Sequence, residues 1–267
     1  MPLSRSQAFV QLLATGQRIL KTTRLLVFGG TSKIAGEIAR LAARHKSRIL
    51  LVGRRVERLQ HAAGDLLARG AATAEWIVAD LADPSCHGKV MAEAESKLPD
   101  FDTVLFAYGT LTINERAESF PEYALAEIGT NFSSIVSLLT LLAPYFERRK
   151  AGCIAVISSV AGERGRRSNY IYGAAKGALS IFLQGYRARL FRSGVRVLTV
   201  KPGPVKSPMT AHMAESRLLA SSTAVGQRIY LELTGGSKDV LYTPGYWRYV
   251  MSGVRAIPEW LAKRLSF

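Results

Sequence analysis

The stretch RLLVFGGTSKIAGEIARLAARH, residues 24–45, decides the architecture. Its first seven residues read as a buried strand closed by two glycines, and the remainder as a turn that runs into a helix. Such a junction turns the unpaired amides and the positive dipole end of the helix towards the turn. That arrangement suits a pyrophosphate.

The same alternation continues outward from this unit. RILLVG reads as strand two and RVERLQHAAGDLLARG as a helix; ATAEWIVAD reads as strand three and PSCHGKVMAEAESKL as a helix. FDTVLFAYG is strand four, followed by a long, almost wholly apolar helix, PEYALAEIGTNFSSIVSLLTLLAPYF. GCIAVISS is strand five, NYIYGAAKGALSIFLQGYRARLFRSG a helix, VRVLTVKPG strand six and KDVLYTP a short strand seven. Strands that alternate with helices predict an α/β fold: one Rossmann-like domain, a doubly wound parallel sheet of about seven strands with helices on both faces. The domain is expected over 24–243, with a basic amphipathic extension at 1–23 and an amphipathic tail at 244–267.

Composition narrows the class. A chain of 267 residues, 48% hydrophobic, can bury one large core. Cys86 and Cys153 lie far apart without metal-ligand spacing, so no metal site and no disulfide framework is expected, which fits a reducing cytoplasm. No uninterrupted apolar run reaches the roughly 18 residues of a membrane span, and the N-terminal segment is too polar for a signal peptide. The net charge of +16 is uneven: acidic side chains outnumber basic ones over 61–144, and the rest of the chain is basic. No zinc-ligand set, aromatic RNA-binding motif or Lys/Arg run accompanies it, so nucleic acid is not the expected partner. A phosphorylated cofactor, an anionic substrate or an anionic membrane surface accounts for the charge.

The chemistry is concentrated in SVAGERGRRSNYIYGAAK, residues 159–176. Tyr172 and Lys176 are four apart in a helical segment, so both leave one face, a turn apart. An ammonium there stabilises a phenolate and draws the tyrosine pKa down towards neutrality, making Tyr172 a proton donor or acceptor. Ser159, at the end of a buried strand, is placed to hydrogen-bond a substrate oxygen whose charge changes during reaction.

Serine thirteen residues ahead of a Tyr-x-x-x-Lys pair, together with the glycine turn after strand one, resembles the short-chain dehydrogenase/reductase family over about residues 24–243. The resemblance implies a catalytic set of Asn131, Ser159, Tyr172 and Lys176, with Lys176 also binding the nicotinamide ribose and Asn131 supporting a proton relay. It implies cofactor contacts from the turn at Gly29, Thr31, Ser32, Lys33 and Ile34, from Asp80 and Leu81, from Gly109, and from Pro202, Gly203, Val205 and Ser207. Two elements depart from the family pattern. In FGGTSKIA, Lys33 and Ala35 replace the second and third glycines of the turn, and FAYG at 106–109 stands where the family has Asn-Asn-Ala-Gly. After strand two, Gly53 takes the place of the acid that holds the ribose hydroxyls of NAD, and Arg54 and Arg55 offer guanidinium groups to a 2′-phosphate. NADP(H) is therefore the expected cofactor. The expected reaction is hydride exchange between NADP(H) and a carbonyl/secondary-alcohol pair; the alternatives are a catalytically silent NADP-binding sensor and a peripheral-membrane scaffold of the same fold.

Substrate clues lie in two places. Arg164, Arg166 and Arg167 flank the expected substrate mouth and can attract phosphate or carboxylate, with Tyr108, Leu111, Ile113 and Met209 as apolar lining. The tail sets Trp247, Val250, Met251 and Val254 along one helical side and Trp260, Leu261 and Leu265 among Lys263 and Arg264. That pattern suits a membrane interface and a partner subunit equally. The tail and the Lys201–Gly203 and Ser207–Thr210 segments are also similar to reductases of decaprenylphosphoryl-linked keto sugars. The expected substrate is thus a small-molecule or lipid-linked carbonyl compound. The expected setting is the cytoplasm or the inner membrane face. A homodimer or homotetramer is expected, because the helices around 121–146 and 170–193 carry more apolar surface than one sheet face buries.

Overall fold

The computed structural model describes residues 22–213 and 218–265. The N-terminal extension therefore lies outside the described residues, apart from its last two. Seven parallel strands form one sheet in the order β3-β2-β1-β4-β5-β6-β7. They are β1 Arg24–Phe28, β2 Arg48–Gly53, β3 Thr73–Val78, β4 Thr103–Phe106, β5 Gly152–Ile157, β6 Val195–Pro202 and β7 Val240–Thr243. The order reverses between β1 and β4. At such a switch point the connecting loops diverge and open a crevice at the carboxyl ends of the strands.

Helices cover both faces. On one side lie α1 (Lys33–Arg44) and α2 (Val56–Ala68), while α3 (His87–Lys97) lies on the other. A short α4 (Asn114–Ser119) precedes α5, which runs from Pro121 to Arg149. The α6 helix (Tyr170–Phe191) joins α3 and α5 on their face, and α7 (Ser222–Gly235) joins α1 and α2 on theirs. Two layers of core result. Leu26, Phe28, Val104 and Phe106 meet Ile135, Leu139 and Leu179 on one side. Val27, Leu51 and Leu198 meet Ile38, Leu59 and Ile229 on the other.

Three features add to the sequence reading. The α7 helix, between β6 and β7, was not expected; it buries Val225, Ile229, Tyr230 and Leu233, a one-sided stripe with helical spacing. The α5 helix is long and apolar enough, by composition, to cross a membrane. It instead lies on the sheet with Leu138, Leu139, Leu142 and Phe146 fully buried. The tail does not stand apart from the domain: α8 (Trp247–Ala256) packs back with Met251 buried, and a single turn, α9 (Glu259–Ala262), follows.

Candidate active site

The glycine turn is built for close approach. Gly29 has φ +88°, and a β-carbon there would lie 2.7 Å from the Tyr108 amide nitrogen at the end of β4. The amides of Gly29 and Gly30 both donate to Val52 O at 2.9 Å, which ties the turn to β2. Ser32 caps α1 in extended conformation without a side-chain hydrogen bond, and no acid sits in the first turn. The positive end of α1 is thus uncompensated beside a cradle that a β-carbon would fill, a fit for a pyrophosphate. Lys33, at the first helical position, is exposed. Thr31 is exposed, and Ser32 and Ile34 are half-buried.

At the ends of β2 and β3, Arg54 and Asp80 face each other with Nη1 and Oδ2 3.9 Å apart, both exposed. Asp80 also accepts from the Ala82 amide at 3.1 Å, so it shapes its own turn as well. Arg55 caps α2 by its backbone, and its side chain is exposed. Leu81 is different: its side chain is in the core and its carbonyl bonds His87 Nε2 at 3.1 Å.

The proton-handling groups converge beyond β4 and β5. Asn131 is fully buried in a π-helical turn, Gly129–Ser133, that interrupts α5. Its Nδ2 donates to Thr110 Oγ1 at 3.0 Å and to Glu127 O at 3.1 Å, and its Oδ1 accepts from the Thr110 amide at 3.2 Å. Glu127 in turn accepts from Thr110 and Thr112 hydroxyls at 2.8 and 2.9 Å. Gly109 carries φ +150° and sits against both Asn131 and Lys176.

Lys176 is 3% exposed, and its carbonyl accepts the Ser158 and Ser180 hydroxyls at 3.0 and 2.9 Å. Its Nζ donates to Ile157 O at 3.5 Å and lies 5.8 Å from the centroid of the Tyr172 ring. Burial pulls the ammonium down to a pKa of about 8. Burial raises the Tyr172 phenol, and its hydrogen bond with Ser159 opposes the rise without overcoming it. The expected lowering of Tyr172 by Lys176 is therefore not produced by this packing, because desolvation acts against both charged forms. Ser159, in extended conformation at the end of β5, accepts from the Ala161 amide at 3.1 Å.

Backbone contact locks this set together. The 3-10 turn Val160–Glu163 lies directly on α6: a β-carbon at Gly162 would be 2.5 Å from Gly177 N, and one at Gly173 would be 3.0 Å from Ala161 O. The Gly173–Gly177 pair, four apart, was a readable signal for that approach. Thr110, Glu127, Ser158 and Ser180 carried none.

Beyond β6, Gly203 donates its amide to Thr243 O at 3.1 Å, and Val205 is bridged to Ala220. Pro202 and Val205 are buried. Ser207 contacts Thr210 Oγ1 through both amide and hydroxyl, at 3.1 and 3.3 Å, and so closes its own turn.

The arginine loop separates into three roles. Arg164 does not face an incoming anion. Its Nη1 bonds Ile257 O at 2.8 Å and its Nη2 bonds Glu259 at 2.6 Å, in the tail. Arg167 is exposed. Arg166 is half-buried with its Nε unpartnered, and desolvation lowers its pKa. Tyr108 packs against Phe106 and bonds Ser134 at 2.9 Å.

Residues 23–218 match the family model for short chain dehydrogenase. The chain belongs to the short-chain dehydrogenase/reductase family. This short-chain dehydrogenase is 38% identical over 246 residues to an uncharacterized oxidoreductase of Streptomyces coelicolor, covering 90% of this chain and 95% of that one. It is 34% identical over 241 residues to an uncharacterized oxidoreductase of Mycobacterium tuberculosis, covering 90% and 96%. Among solved structures, a short-chain dehydrogenase from Burkholderia cenocepacia in complex with NADP matches the fold with a TM-score of 0.76 at 18% identity, over 92% of this chain and 98% of that one. The protein is an oxidoreductase with a fold that binds NAD(P).

Proposed function

We propose that this oxidoreductase reduces a carbonyl group to a secondary alcohol with NADPH. The observation that carries the reading is that Asn131 and Lys176 meet at Gly109 while Lys176 Nζ lies 5.8 Å from the ring of Tyr172, whose phenol is hydrogen-bonded to Ser159. When bound, the nicotinamide cofactor supplies the hydride. Ser159 donates a hydrogen bond to the substrate oxygen, and Tyr172 delivers its phenolic proton to that oxygen as charge develops there. Lys176 holds positive charge near the phenol and would hold the nicotinamide ribose; Asn131 would order the path by which Tyr172 is reprotonated. The turn at Gly29, Thr31, Ser32, Lys33 and Ile34 would hold the pyrophosphate, and Gly109, Pro202, Gly203, Val205 and Ser207 would hold the nicotinamide end. Asp80 and the Leu81 main chain would hold the adenine. Gly53, Arg54 and Arg55 favour a 2′-phosphate over the free ribose hydroxyl.

Two observations bear on the substrate. Arg166, shielded and without a carboxylate partner among the described residues, supports an anionic group on it. Docking of α8 leaves Tyr249, Val250, Trp260, Leu261 and Leu265 exposed beside Arg248, Lys263 and Arg264, which supports peripheral contact at an anionic inner membrane face. An anionic, lipid-linked keto sugar satisfies both.

The test is NADPH oxidation against a panel of ketones and keto sugars, with Tyr172→Phe as control. Loss of nearly all turnover with NADPH affinity kept within about twofold is expected, since only the transferable proton is removed. Wild-type turnover in Tyr172→Phe on any active substrate overturns the mechanism.

A further inference from the structure

The carboxylate of Glu163 is only 3% exposed, yet it serves no group in the mechanism above. Three elements converge on it. Lys201, just before Pro202–Gly203, donates its ammonium; Tyr242 of β7 donates its hydroxyl at 2.8 Å; Arg255, in the last turn of α8, approaches to 3.0 Å. Burial alone would raise this carboxyl, but the Lys201 and Tyr242 hydrogen bonds and the charges of Lys201 and Arg255 hold it below its ordinary range. The next residue, Arg164, caps the carboxyl end of the same helix by bonding Arg255 O at 3.3 Å and Ile257 O at 2.8 Å. At the other end of α8, the Trp247 indole lies on the turn after β6: a β-carbon at Gly203 would be 1.9 Å from Nε1. One helix of ten residues, about 15 Å long, is thus fastened at its start to the Pro202–Gly203 turn and at its end to the turn that follows Ser159.

From these contacts we infer that Glu163 is a positioning residue and that the C-terminal helix is part of the active site, setting the Ser159 turn and the Pro202–Gly203 turn relative to each other. The mechanical path is continuous. Arg255 holds Glu163; Glu163 ends the turn whose Gly162 rests on the backbone of Lys176 and Gly177; those residues belong to the helix that carries Tyr172. The same carboxylate holds Lys201, and with it the turn expected over the nicotinamide. A buried carboxylate with donors from three elements tolerates little displacement, because each lost partner leaves charge uncompensated. The inference rests on the reductase reading for its kinetic part only.

Arg255→Ala removes the half-exposed partner and leaves the core intact. Hydrogen exchange on the cofactor-free protein is expected to speed up at 159–163 and 201–207 together, and kcat to fall about tenfold while the KM for NADPH changes less than twofold. Arg255→Lys should restore most of both. Glu163→Gln should give a larger version of the same pattern; if it fails to fold, the arginine variants decide. Faster exchange confined to 244–265, or a kcat within twofold of the parent, overturns the proposal. The exchange readout needs no turnover, so it separates failure of this inference from failure of the reductase reading.

Discussion

Gly109 and Asn131 are in contact so close that a β-carbon on the glycine would stand 2.6 Å from the asparagine Oδ1. The same atom would stand 3.2 Å from Lys176 Nζ, and the backbone there has φ +150°. Gly109→Ala is therefore expected to strain the backbone by about 1–3 kcal/mol and to push Asn131 away from Thr110. Turnover should fall by roughly a hundredfold or more, with thermal unfolding shifted only a few degrees. A variant with parental kcat would show that this contact does not bear on the chemistry.

Cofactor choice is predicted to turn on Arg54. Arg54→Ala should weaken NADPH binding by about 1.5–3 kcal/mol, the scale of a charge-assisted hydrogen bond, and leave NADH nearly unchanged. Fluorescence titration with both nucleotides measures it. Equal losses would assign Arg54 to local structure through its contact with Asp80.

The pH dependence follows from Lys176. With its pKa drawn from 10.5 to about 8, the ammonium is present below pH 8 and lost above it. Values of kcat/KM for NADPH, which report the free enzyme, should fall as pH rises through about 8. The same shift has the opposite sign for folding: between pH 8 and 10.5 the unfolded chain binds the extra proton, so this group's contribution to stability rises with pH. Activity loss near pH 8 with the fold retained is the expected signature. A falling limb at pH 10 or above would refute it.

Assembly is predicted through α5 and α6. Leu125 and Ile181 are 67% and 70% exposed, and Phe191 is 79% exposed at the end of α6. An isologous homodimer that covers them is expected by sedimentation at micromolar concentration, and Ile181→Asp should give monomers. A parental monomer contradicts this.

Membrane contact is predicted through the outer face of the tail. Vesicles containing anionic lipid should bind the protein in a salt-sensitive manner, and the double variant Tyr249→Ser/Trp260→Ser should lose that binding. These two residues are chosen because Met251 and Arg255 hold the tail to the domain and they do not. No lipid-dependent binding by the parent protein would return the substrate to an ordinary soluble carbonyl compound.

The seven strands were legible because each is a short apolar run between turn residues. Ser159, Tyr172 and Lys176 were legible because their spacing fixes which helical face and which strand end they occupy. The bonds of Asn131 to Thr110 and of Glu127 to Thr112 were not, since they join β4's loop to α5 and leave no periodic trace. Arg164 was misread as a substrate contact for a related reason: its partners, Ile257 and Glu259, lie 93 and 95 residues away. A charged residue near a site reads the same in sequence whether it faces a ligand or its own chain.

The five-residue π-turn at Gly129–Ser133 also constrains how this chain can be altered. A π-turn is in effect one residue more than regular helical winding requires, and it rotates the first part of α5 by about 100° relative to the second. Removing a single residue there would restore regular winding and turn the two parts of this helix relative to each other. Any redesign that straightens it would carry Asn131 off Gly109 while leaving every strand in place.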